Sequence, residues 1–205
     1  MNSVYQLCNN GIVLTNGSIE LVGSAEKCIN YYIKDRSTLY KPHCILSEND
    51  HLQNCTRQLE ILEAELLNDE VSELSSDEII SIKLTIRKNT DNCKSCQYCV
   101  FIYDDTNTRI ETLYTEPMDI PSSSTYSVLI SITNHGLIKG NYQLMFSLGN
   151  RHYATSIINH DITKQILSFN IKYISKKPKI SYLPETNWYR GIHHSLGYIH
   201  AQIQP

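Results

Sequence analysis

IISIKLTIRK, residues 79–88, decides the fold. Ile80, Ile82, Leu84 and Ile86 fall on one side, and Ser81, Lys83, Thr85 and Arg87 on the other. A period of two with one polar side is the pattern of a strand whose sheet buries a single face. YSVLISI (126–132) repeats it through Val128, Ile130 and Ile132, and NYQLMFSLGN (141–150) through Tyr142, Leu144, Phe146 and Leu148. ILSFNIKYI (166–174) does the same through Leu167, Phe169, Ile171 and Tyr173. CVFIYDD (99–105) and RIETLYT (109–115) flank a turn rich in Asp, Thr and Asn, and read as a hairpin. Val100 and Ile102 form one register there, Phe101 and Tyr103 the other. Several such strands joined by polar turns predict an all-β chain, an antiparallel immunoglobulin-like β-sandwich.

LEILEAELL (59–67) is the one conflict. Its Leu, Glu and Ala favour a helix. Its pattern sets Leu62, Ala64 and Leu66 against Glu63 and Glu65, which predicts a strand in line with its neighbours.

Ahead of the sandwich the pattern changes. Residues 2–9 read as a helix end, with Val4, Leu7 and Cys8 on one face. GIVLTNGSIELVG (11–23) predicts a tight hairpin around Asn16-Gly17. Ser24 is placed to cap a following helix, with Glu26 in its first turn and Ile29, Tyr32 and Ile33 on its apolar face. Residues 35–58 have no period and read as a linker. The tail from Lys176 holds the single Trp and is either a terminal strand with a loose end or a docking segment.

The chain has 205 residues and a net charge of -3, which gives no nucleic-acid footprint. No apolar run approaches the roughly 18 residues of a membrane span. The start lacks the basic and apolar regions of a secretory signal, so a cytoplasmic location is expected, with the seven cysteines reduced.

CKSCQYC (93–99) places Cys93, Cys96 and Cys99 at gaps suited to thiolate metal ligands. A structural zinc site needs a fourth ligand and the usual partner pair is absent, so a loop with free thiols is the expectation; His or Cys from elsewhere would have to complete a site. A cysteine nucleophile paired with one of the eight histidines has no local signature. Asp104 and Asp105 are adjacent and point to opposite faces, which makes them a poor pair for glycoside chemistry and good turn caps. His193-His194 and Lys176, Lys177 and Lys179 read as solvated groups.

The motifs together resemble one family, the C-terminal carbohydrate-binding domain of Wzt-type polysaccharide (O-antigen) ABC exporter ATP-binding proteins. ILEAELLND (61–69) and SSDEIISIKLTIRKN (75–89) resemble its first two strands, and CVFIYDDTNTRIETLYT (99–115) its central hairpin. HGLIKGNYQLMFSLG (135–149), KQILSFNIKYI (164–174) and ISYLPETNW (180–188) resemble its late strands and closing segment. MNSVYQLCNNGIVLTNGSIELVGSAEKCINYYI (1–33) is similar to the end of the ATPase domain in those exporters, a helix, a hairpin and a helix. The resemblance implies a C-terminal remnant of an ABC ATPase domain at 1–34, a linker at 35–58, a carbohydrate-binding sandwich at 59–190 and a tail at 191–205.

The departure from the family is large. No G-x-x-x-x-G-K-[ST] loop to cradle phosphates, no LSGGQ signature and no Walker B strand occurs, so no ATP hydrolysis by this chain is expected. The resemblance implies a non-catalytic binding module with no cofactor and no metal. Its partners would be a polysaccharide glycan, the membrane subunit of an ABC transporter at the cytoplasmic face of the inner membrane, a separate ATPase chain, and a second copy in a homodimer. A rival reading is an interaction fragment of a split ATPase, and a third a metal-binding sandwich using Cys93, Cys96 and Cys99. A sugar ring needs an aromatic face for its CH side and polar groups for its rim. Tyr103, Asp105, Arg109, His152 and Trp188 are the expected surface contacts.

Overall fold

The structure, a computed structural model, describes residues 7–15, 17–35, 40–68, 73–75, 77–137, 139–152, 156–172 and 198–204. Strands β1 (Asn10–Thr15) and β2 (Ser18–Ser24) pair antiparallel, and helix α1 (Ala25–Asp35) follows. Gly17 turns the hairpin at φ +82°, a left-handed conformation that costs glycine little. Ser24 caps α1, its Oγ accepting the Lys27 N–H at 3.2 Å. The helix covers one face of the hairpin through Ala25, Cys28 and Ile29, which are buried with Val13. It sits so close that a Cβ on Gly11 would lie 3.0 Å from the Cys28 Cβ.

The sequence expectation of a helix–hairpin–helix remnant is not supported as stated. The hairpin and second helix are present, but residues 1–6 lie outside the described residues, and Leu7 and Cys8 are exposed rather than packed on a helical face.

One sheet of the larger body runs β14 (Tyr198–Gln204), β10 (Thr125–Thr133), β6 (Ile80–Lys88), β4 (Leu59–Leu66) and β3 (His43–Ile45), with every neighbour antiparallel. The other runs β5 (Glu73–Ser75), β13 (Leu167–Lys172), β11 (Gly140–His152), β7 (Ser95–Asp104) and β8 (Arg109–Tyr114). There β12 (Ser156–Ile162) pairs with the far half of β11 and β9 (Met118–Asp119) with the start of β7; among the described residues only β5 is parallel to its neighbour. Ile80, Ile82, Leu84 and Ile86 are fully buried and share one core with Val100, Ile102, Leu144, Phe146 and Leu148 of the second sheet. This is the arrangement of a β-sandwich. Full burial of each such aliphatic side chain contributes roughly 1.5–3 kcal/mol. One polar contact across this core joins residues that supply each other's partner: Tyr98 and Tyr126 place their hydroxyls 3.3 Å apart.

The strand reading of LEILEAELL holds, with one difference. The pairing of β4 with β6 shifts between Ile61 and Glu63, so Leu62 is a bulge residue. Leu59 and Ile61 point into the core before it, Ala64 and Leu66 after it, and Leu62 is half-buried.

Residues 40–57, read as linker, are tied to both sheets. Lys41 bridges to Ser168 of β13, and His43–Ile45 is itself the edge strand of the first sheet. Beyond a short 3-10 turn at Glu48–Asp50 the chain lies along β12: the N–H groups of Leu52, Thr56 and Arg57 donate to the carbonyls of Ile162, Asn159 and His160, and that of Lys164 to Asp50.

Candidate functional site

On β7 the alternation sends Cys96, Tyr98, Val100 and Ile102 into the core and Gln97, Cys99, Phe101 and Tyr103 to the outer face of the second sheet. Strand β8 returns antiparallel, with Thr112 opposite Phe101 and, after a register shift, Arg109 opposite Tyr103. On the other flank Gln143 of β11 stands opposite Tyr103 and Met145 opposite Phe101. The Arg109 guanidinium lies over the Phe101 ring, 5.6 Å from its centroid, and the Tyr103 hydroxyl donates to Met145 Sδ at 3.5 Å. The result is a half-buried tyrosine beside an exposed cation and an amide, on a rigid sheet face.

The connecting turn is locked by Asp104. Its Oδ1 accepts from the Thr106 N–H (2.9 Å), the Thr106 hydroxyl (2.6 Å) and the Thr108 N–H (2.9 Å). Asp104 is therefore the turn cap that its type and position suggest, and Asp105, half-buried, sits at the hairpin tip beside it.

Of the five expected sugar contacts, the structure brings Tyr103, Asp105 and Arg109 to one hairpin. His152 belongs elsewhere: it is nine residues along β11 from Gln143, about 30 Å at the strand rise. Trp188 lies outside the described residues, as do His193, His194 and Lys176, Lys177 and Lys179.

The three clustered cysteines do not converge. Cys96 faces the core and Cys99, three positions on in the same strand, faces outward. Among the described residues no three His, Cys, Asp or Glu side chains gather in a metal-holding arrangement. Burial pushes the Cys96 thiol well up from its ordinary range.

Two buried polar pairs escaped the sequence reading, and both hang on β12. His160 places Nε2 3.2 Å from Cys93 Sγ and Nδ1 2.9 Å from Thr56 Oγ1. A cysteine–histidine pair of this kind suits nucleophilic chemistry only as thiolate and imidazolium. Burial acts against both, raising the Cys93 thiol and lowering the His160 imidazole, so the pair rests neutral. Asp161, fully buried, accepts from His51 Nδ1 at 2.9 and 3.0 Å, from the Ile61 N–H at 2.9 Å and from Arg57 at 3.4 Å. Glu60 stands 3.9 Å from His51 Nε2 and is held by Arg87 at 2.6 Å. These contacts fasten residues 51–61 to β12, and their geometry is structural. No spacing in the sequence links His51 or Cys93 to INHDI (158–162).

His135 is a second buried neutral histidine. Its Nε2–H donates to the Glu78 carbonyl at 3.0 Å while Nδ1 accepts the Leu137 N–H at 3.1 Å. Burial lowers its pKa, against a smaller raising effect from the Glu78 carbonyl. Both His135 and His160 titrate below the ordinary 6.5 in the folded chain. Above that pH both states are neutral and the contribution is whole; as pH falls below it, the unfolded chain takes up protons first and stability drops. Urea midpoints should therefore fall between pH 7 and pH 5, before the carboxylates titrate, and His135→Gln should flatten part of that fall. An unchanged midpoint across this window would contradict the assignment.

Among the described residues no helix is long and apolar enough to cross a membrane. No family model matches the chain, and no curated protein matches it either. Among solved structures, the chain is similar to the crystal structure of the C-terminal domain of Wzt. The TM-score is 0.51 at 11% sequence identity, over 62% of this chain and 80% of that one. At that identity the likeness speaks to the fold: the β-sandwich of the described residues is of the kind seen in that domain.

Proposed function

We propose that this chain is a non-catalytic module that recognises a cytoplasmic polysaccharide, through its terminal motif, and couples it to export by an ABC transporter. The observation that carries the reading is the fold shared with the C-terminal domain of Wzt, in a chain whose motifs resemble that domain in order. In this reading residues 59–190 are the immunoglobulin-like binding sandwich, 35–58 a linker folded back onto it, 1–34 a piece related to the end of an ATPase domain, and 191–205 a tail. The module works as a homodimer at the cytoplasmic face of the inner membrane, against the transporter's membrane subunit, with ATP hydrolysis supplied by a separate chain.

The outer face of β7 and β8 supports the same reading. The Tyr103 ring can cover the CH side of a sugar, and Arg109, Gln143 and Asp105 surround it with donors and acceptors for the rim. Titration calorimetry with the host's own polysaccharide fragments should give weak binding per site, with Kd near about 1 mM. Arg109→Ala should weaken it about tenfold or more, the loss of a charge-assisted hydrogen bond, while leaving the melting temperature unchanged. Absence of heat at millimolar glycan overturns the proposal.

A further inference from the structure

We infer that the outer face of β7 and β8 selects an acidic glycan, and that Arg109 reads its negative group, a sugar carboxylate or a phosphate ester. The inference rests on the glycan reading of this face and adds the charge class of the ligand.

Arg109 differs from Arg57 and Arg87 in what it holds. Arg57 meets Asp161 at 3.4 Å and Glu60 at 3.7 Å, and Arg87 meets Glu60 at 2.6 Å. Arg109 is exposed and meets no carboxylate among the described residues; its guanidinium lies over Phe101 instead. The outer face of the first sheet shows the contrast. There Lys83 stands opposite Glu65, and His43 lies 2.6 Å from Glu63. Both cationic groups of that face stand beside an acid, whereas the cation of the β7–β8 face stands over an aromatic ring.

That placement prepares the guanidinium for a ligand. Held over a ring, it has given up part of its rotamer freedom in advance and still presents N–H donors at its edge. A guanidinium has five donors and no acceptor, and its planar fork matches two oxygens of a carboxylate or phosphate. A neutral glycan covering it would strip its water and return only hydroxyl contacts. An acidic one returns a charge-assisted pair.

The neighbours fit a sugar that carries such a group. Gln143, Tyr103 and Arg109 stand in one row across β11, β7 and β8, each opposite the next. Phe101 lies two residues from Tyr103 on the same face, about 7 Å along the strand. A pyranose over the Tyr103 ring therefore brings a ring substituent to the guanidinium above Phe101. The Gln143 amide supplies one donor group and one acceptor for the hydroxyls on the other side.

Calorimetry with fragments of the host's own polysaccharide tests the inference, in untreated, carboxyl-reduced and dephosphorylated preparations. Untreated fragments should bind about tenfold or more tighter than the preparation that has lost the acid, the worth of a charge-assisted hydrogen bond. The treatment that weakens binding tells a carboxylate from a phosphate. Arg109→Gln should bring the ratio between those two preparations to about one, and Arg109→Lys should keep part of it, as a charge without the fork. Lys83→Gln, on the outer face of the other sheet, should keep the wild-type ratio. If Arg109 served only to pack on Phe101, Arg109→Gln would lower the affinity for both preparations alike and leave the ratio intact, which overturns the inference. Equal binding of all three preparations by the wild type overturns it too, and leaves the glycan reading standing. No heat with any preparation overturns both.

Discussion

Asp161→Ala should lower the stability of the folded chain by about 3–5 kcal/mol, the cost of leaving two buried donors without their acceptor. Asp161 is fully buried, and the side chain of His51 is 2% exposed. Its loss strips the acceptor from His51 Nδ1–H and from the Ile61 N–H at once. Each orphaned donor costs about 1–3 kcal/mol in desolvation. Arg57, at 31% exposure, adds little because water can replace its partner. Asp161→Asn keeps an acceptor oxygen and the volume, so its smaller loss isolates the charge. Urea titration should show the midpoint falling with the slope unchanged. A loss below about 1 kcal/mol, the level of an ordinary surface substitution, would mean that His51 and Ile61 find other partners.

Phe146→Ala is expected to cost a similar amount, about 3–5 kcal/mol, for a different reason. Phe146 is fully buried on β11, opposite Val100 of β7, where both sheets contribute to the core. Its backbone bonds do not depend on the ring: its N–H donates to Thr163 Oγ1 at 3.0 Å and its carbonyl accepts the Thr163 N–H at 2.9 Å. The loss is therefore transfer energy plus the cavity left behind. At about 2–4 °C per kcal/mol for a chain of this size, the melting temperature should fall by roughly 10 °C. A fall of only about 2 °C would show that neighbouring side chains collapse into the space.

The two cases also mark what the sequence makes legible. Phe146 announces itself, because Tyr142, Leu144, Phe146 and Leu148 alternate and alternation reports a buried face. The same signal identifies Ile80, Ile82, Leu84 and Ile86. Leu62 does not follow it, since a bulge is set by the partner strand and leaves no mark on one strand's own pattern. Asp161 gives no warning at all. Its partners are 100 and 110 residues away in the chain, and residues 35–58 have no period to suggest that they pair with anything. The candidate site divides in the same way. Tyr103 and Arg109 are joined by a hairpin whose turn residues are readable, so their proximity is local information. His152 depends on the length of β11, thirteen residues, of which only the first ten alternate visibly.

The pairing of residues 50–57 with β12 also sets an order of events. That contact closes a loop of about a hundred residues, an entropic cost that must be met before the bonds form. The main-chain N–H groups of Leu52, Thr56 and Arg57 find their acceptors only once β12 is in place on β11. The segment is therefore expected to dock after the sheets have met, and hydrogen exchange of the Leu52, Thr56 and Arg57 amides is the measurement that checks this.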